Sequence, residues 1–239
     1  MNKKLILRKA HRYIGLLISI QLLAWTIGGI YFSWNDLDKI HGDHLKTTAV
    51  QTRNHLIDVK RAITAINDLD SISSINVIDM LGKPVYRIKY NTKDQVNNTQ
   101  LVNALDGQLM GEINQQQAIE IARFHANFEA DVAKAELITS TDPHHEYREK
   151  ILPAWAITFE HPDHPTFYVS PIQGELISVR HSSWRIFDFL WMLHTMDYQT
   201  RDDFGNWLIK IFSIIALITA LSGIVLFIIS SRKFNKRKS

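Results

Sequence analysis

Eleven histidines and no cysteine define the chemistry open to this chain of 239 residues. Without a thiol there is no cysteine nucleophile, disulfide, iron–sulfur cluster or Cys-ligated zinc. Imidazoles are then the side chains best suited to hold a metal or a haem. No Gly-rich phosphate loop, His-Glu-x-x-His pair or nucleophile elbow is present. His145-Glu146 opens like the zinc motif, but Glu149 stands where its second histidine belongs. His11 and His194 are the first candidates, because each adjoins apolar sequence that would shield an axial haem ligand. Their plainer roles are an interfacial polar residue beside Arg12 and a half-buried ring in an aromatic cluster. His41 and His44, in His41-Gly42-Asp43-His44, are a second candidate for a metal or a haem propionate, although a solvated loop is the plainer reading of that spacing. His144-His145 and His161-Pro162-Asp163-His164 read as surface residues. A strand over Leu152–Glu160 would hold those two groups about 30 Å apart.

Two apolar segments must position these residues. Tyr13–Trp34 has 22 residues without a charge, a helix of about 33 Å against a bilayer core of about 30 Å. Ile211–Ile229 adds 19 more, with Lys210 placed to snorkel and with Trp25, Tyr31, Trp34 and Trp207 as interfacial aromatics. The flanks are basic: Lys3, Lys4, Arg8, Lys9 and Arg12 at one end, Arg232, Lys233, Lys236, Arg237 and Lys238 at the other. Between Asp36 and Asp203 lie all 24 acidic residues against 16 Lys and Arg, a balance of −8. A basic face for DNA or RNA is therefore excluded; the partner this pattern implies is the lipid bilayer. Positive flanks stay inside, so both termini are expected in the cytoplasm and residues 36–205 outside it. Tyr31-Phe32-Ser33-Trp34 offers no small-residue cleavage site, so the first segment reads as an uncleaved anchor.

The acidic body reads as a duplicated α+β unit. Leu56–Leu69 has helical apolar spacing, followed by strand-like runs at Ile75–Asp79, Pro84–Tyr90 and Gln100–Leu105. Gln115–Phe128 is a second helix, followed by Ala135–Thr139, Ala154–Glu160, Thr166–Val169 and Glu175–Val179. Ala62-Ile63 aligns with Ala118-Ile119, and the turn at Asp106-Gly107 with Gln173-Gly174, which makes Asp142–Ile151 a loop insertion in the second copy. Each set of strands needs its helix to cover an apolar face. The expected organisation is a basic tail at 1–12, membrane helices at 13–34 and 207–230, helix-plus-sheet units at 35–114 and 115–181, and a second tail at 231–239. Residues 182–206 form an amphipathic segment at the outer membrane surface or beneath the body.

On this topology His11 is at the inner end of the first helix and His194 at the outer side, about 30 Å apart, too far to share one iron. A homodimer would pair each with its twin; another histidine or a membrane redox partner would serve as well. Gly15 and Ser19, Ala24 and Gly28, and Thr219 and Gly223 are spaced for close helix approach, between copies or within one chain. Gln21 must face another helix rather than lipid.

Lys9-Ala10-His11-Arg12-Tyr13-Ile14-Gly15, the segment Trp184-Arg185-Ile186-Phe187-Asp188-Phe189-Leu190-Trp191-Met192-Leu193-His194 and Leu221-Ser222-Gly223 resemble the PepSY-associated transmembrane helix family. The resemblance covers nearly the whole chain. It implies a bacterial inner-membrane protein with PepSY-like units in the periplasm. Some relatives are haem-bearing reductases of ferric siderophores, with four or more membrane helices where this chain has two; isolated PepSY domains have been linked to peptidase regulation. The expected function is a membrane component of an iron-related or respiratory electron-transfer system holding b-type haem. The alternatives are a non-catalytic binding or peptidase-regulating module and a structural anchor.

Overall fold

The computed structural model describes residues 3–47, 56–94 and 96–231. The basic run at 232–238 and the side chains of Lys3 and Lys4 lie outside the described residues. The chain divides into two compact units, one built from its two ends (up to Asp36 and from Ile186) and one from Leu37–Arg185.

The end-built unit is helical. α1 runs over Lys3–Trp34 and α6 over Trp207–Ser230. α1 starts ahead of the uncharged stretch at 13, since Leu, Lys, Arg and Ala all favour helix and surface charge does not end one. α6 starts at its expected residue, capped by Asn206, whose side chain accepts the Ile209 N–H at 3.0 Å. Ile214, Leu217, Leu221 and Phe227 of α6 are each more than half exposed, a surface suited to hydrocarbon and not to water. The two helices run antiparallel: Gly15 lies against Thr219, Gly223 against His11 and Trp25 against Phe212. The small residues thus form a seam within one chain.

A third helix, α5 (Ser182–Thr195), brings its last ten residues into this unit. They pack along α1. Phe187 and Trp191 meet Phe32, and Gly28 leaves room for the Leu190 carbonyl.

The second unit opens with a one-turn helix, α2 (Leu37–Ile40), and a 3-10 turn at Asp43–Leu45. Then come two copies of one plan. α3 (Val59–Thr64) precedes an antiparallel sheet in the order β1 (Leu69–Met80), β2 (Lys83–Thr92), β3 (Asn97–Asn103), β4 (Leu109–Met110). α4 (Gln115–His125) precedes a second, β5 (Val132–Ile138), β6 (Ala154–Phe159), β7 (Thr166–Ser170), β8 (Glu175–Arg180). Ala62 and Ala118, aligned by sequence, are both fully buried. Gly107 and Gly174, likewise aligned, both take left-handed φ values of 79° and 65°, as their turns require.

Two details differ from the sequence reading. The helix expected over Leu56–Leu69 is confined to Val59–Thr64 and Leu69 already belongs to β1. Asn67-Asp68 breaks the periodic run, with Asp68 at positive φ. The insertion at 142–151 is more than a surface loop: Tyr147 is fully buried and stacks on Tyr168 with ring centroids 4.4 Å apart. Burial pushes the Tyr147 phenol up to about 12.

The main core lies between the copies. Met80, Val85 and Leu101 of the first sheet meet Ile121 of α4 and Ile157, Phe167 and Val179 of the second. α4 is fixed by a capping box, Asn114 and Gln117 exchanging side-chain bonds to backbone N–H groups.

Candidate functional site

Several inward-facing residues of the helical unit are polar, and they are organised around the C-terminus of α5. The last carbonyls of any helix lack intrahelical partners. Here the last three find side chains: Leu193 accepts from Gln21 Nε2 (2.7 Å), His194 from Trp25 Nε1 (3.1 Å) and Thr195 from Asn206 Nδ2 (2.9 Å), while the Thr195 hydroxyl lies 3.1, 3.1 and 3.3 Å from the carbonyls of Trp191, Arg201 and Met192. Gln21 does face another helix, and that helix is α5. These bonds hold the His194 ring among Trp25, Phe32 and Trp191, at centroid distances of 5.8, 6.0 and 6.3 Å. Its Nδ1 is buried without a hydrogen bond, an uncommon state for a polar atom.

His11 sits elsewhere on α1. Ser222 Oγ lies 2.7 Å from both the Thr219 carbonyl and His11 Nδ1, so the His11 ring is held at Nδ1 by a neighbour on α6, as outer-shell partners orient ligating histidines. The absent side chain at Gly223 makes room for the ring: a Cβ there would lie 3.1 Å from His11 Cε1. Fourteen residues of α1 separate His11 from Trp25, a rise of about 21 Å, so His11 and His194 occupy different levels of the unit.

Sequence reasoning missed the loop after α5. Asp188, buried, pairs with Arg201. Buried Asp197 accepts the N–H groups of Gln199, Thr200 and Asp203 and the Thr200 hydroxyl. Burial alone would raise its pKa, but these donors outweigh that and hold the carboxyl well below the usual range. Trp191 Nε1 donates to Asp202 at 3.1 Å. The available signal was Asp188 on an apolar helix, which demands a cation nearby.

In the α+β unit, His44 lies edge-on to His181, with centroids 5.1 Å apart, and both His41 and His44 are exposed. His181 Nε2 donates to the Lys39 and Ile40 carbonyls at 3.0 and 3.2 Å, pinning α2. Its Nδ1 is buried and unpartnered, and burial lowers its pKa. Among the described residues no group of three or more His, Asp or Glu converges as a metal site. His144 and His164 are exposed; His145 and His161 are half-buried, His161 against Phe128.

A helical unit with an apolar surface and half-buried histidines, joined to a duplicated α+β unit, defines a membrane protein with a two-sheet domain. The sequence profile of the PepSY-associated TM region matches residues 8–239, and the chain belongs to that family. No curated protein matches it. Among solved structures, the YpmB protein from Bacillus subtilis aligns over 55% of this chain and 99% of its own, at 15% identity and a TM-score of 0.23.

Proposed function

We propose that this protein is a membrane component of an iron-related or respiratory electron-transfer system and that its helical unit holds b-type haem through His194 and His11. The observation that carries this reading is the buried, unpartnered Nδ1 of His194 within a wall of aromatic rings. His11, held at Nδ1 by Ser222, is the second imidazole of the unit. Haem, when bound, supplies one-electron transfer between ferric and ferrous iron. The chain's own residues do the rest. Gln21 and Trp25 fix the backbone that carries His194, and Trp25, Phe32 and Trp191 exclude water. The separation of the two histidines calls for two sites, each completed by a ligand from a second copy or a redox partner. The basic N-terminal flank and acidic body support a two-pass topology with cytoplasmic termini and a periplasmic body in the bacterial inner membrane.

The test is a reduced-minus-oxidised spectrum of the detergent-purified chain. A Soret band that shifts on dithionite and is lost or displaced in His194→Ala is expected. A colourless preparation from haem-supplied cells refutes the proposal and favours a non-catalytic binding module.

A further inference from the structure

The first sheet carries an open edge beside a built cleft. β4 covers β3 only at Leu101 and Val102. Asn103 gives its N–H to the Gln108 carbonyl on the β4 side. Backbone groups of a strand alternate between its two neighbours. Thr99 and Asn97 therefore present their N–H and C=O to that same side, where among the described residues no strand pairs with them. Gln100 closes β4 off at this point, its Nε2 donating to the carbonyls of Leu101 and Met110 at 2.9 and 2.7 Å. Beyond it the chain turns away at Gly111-Glu112, leaving a cleft of about 490 Å³ walled on the far side by Ile151, Ile172 and Gln173. Among the described residues Glu112 is the charged residue of its lining, and no Lys or Arg lines it.

We propose that this cleft docks an extended segment of a partner polypeptide, which adds to β3 as a strand alongside Asn97–Gln100. Four residues at about 3.3 Å each span about 13 Å of open edge. The backbone of the incoming segment supplies the missing hydrogen bonds. Glu112, with no cation in the lining to offset it, selects a neutral or basic segment over an acidic one. This inference concerns the α+β unit and stands independently of haem in the helical unit.

The test is fluorescence anisotropy on the full chain in detergent. The probe is a fluorescein-labelled heptapeptide of alternating threonine and valine with a central lysine. Saturable binding is expected. It should weaken at least tenfold when alternate amides of the peptide are N-methylated, and several-fold when the lysine is replaced by glutamate. Thr99→Pro removes an N–H that makes no ladder bond, a place where a strand tolerates proline, and should weaken binding at least tenfold. Gly111→Phe is the second variant: a Cβ there meets nothing within 4 Å, so the ring enters the cleft with the fold intact, and it too should weaken binding at least tenfold. Absence of saturable binding overturns the proposal. So does unchanged affinity with the N-methylated probe, or with a Gly111→Phe chain that melts at the wild-type temperature.

Discussion

Phe159 and Phe167 of the α+β unit are sealed from solvent, and its carboxylates and lysines lie mostly outside. In the helical unit Phe227, Leu217 and Leu221 lie outside, and the groups turned inward include Gln21, Asp188, Thr195 and His194. The two units share one chain but not one solvent. Water drives apolar burial in the α+β unit. Hydrocarbon gives no such drive, so the helical unit depends on close packing at Gly15, Gly28 and Gly223 and on pairing its inward polar groups, with His194 Nδ1 as an exception.

The largest test of this contrast is a pair of truncations. Phe167→Ala should cost about 3–5 kcal/mol and lower the melting temperature of the α+β unit by about 10 °C. Phe227→Ala, which removes only lipid-facing surface, should stay within about 0.5 kcal/mol. Equal losses in the two variants, followed by tryptophan fluorescence in detergent, would break the comparison.

Next is the buried pair. Asp188→Ala leaves Arg201 buried without its carboxylate and should destabilise the helical unit by about 3 kcal/mol. The double variant Asp188→Leu with Arg201→Met should recover much of that loss in the same melting assay, since an apolar pair of similar bulk strands no charge.

The smallest effect is a pH dependence in the α+β unit. Burial lowers the pKa of His181, so the folded state prefers the neutral ring. The stabilisation is whole above the unfolded value of about 6.5 and is lost as pH falls below it toward the folded value. The groups facing the ring are His44, which also lowers its pKa, and Asp163, which raises it. His125 shifts in the same direction. Melting temperature should therefore fall on acidification from pH 7.5 to 5. The fall should be shallower in His181→Gln, which keeps a donor for the Lys39 carbonyl and does not titrate.

Much of this architecture was legible in sequence because its signals are local. Uncharged stretches bounded by basic residues mark α1 and α6. The paired alanines at 62 and 118 and the paired glycines at 107 and 174 expose the duplication. Gln21, an amide in an apolar run, announced a helical neighbour without naming it. The neighbour, α5, was unreadable because its Arg185 and Asp188 make it look like a surface helix. Only the fold shows that Asp188 meets Arg201, thirteen residues later and across a loop. The role of Trp25 was hidden for the same reason, since an interfacial aromatic and a donor to a buried carbonyl have the same sequence signature. Tyr147 looked like loop composition until the insertion folded back onto Tyr168.

The central claim is that the helical unit holds haem at two levels about 21 Å apart on α1. Pyridine-haemochrome quantification of haem per chain, in the wild type and in His11→Ala, His194→Ala and the double variant, tests it most directly. The account predicts haem b in the wild type, a partial and independent loss in each single variant, and none in the double variant. Wild-type chain without haem, or undiminished haem in the double variant, would contradict it.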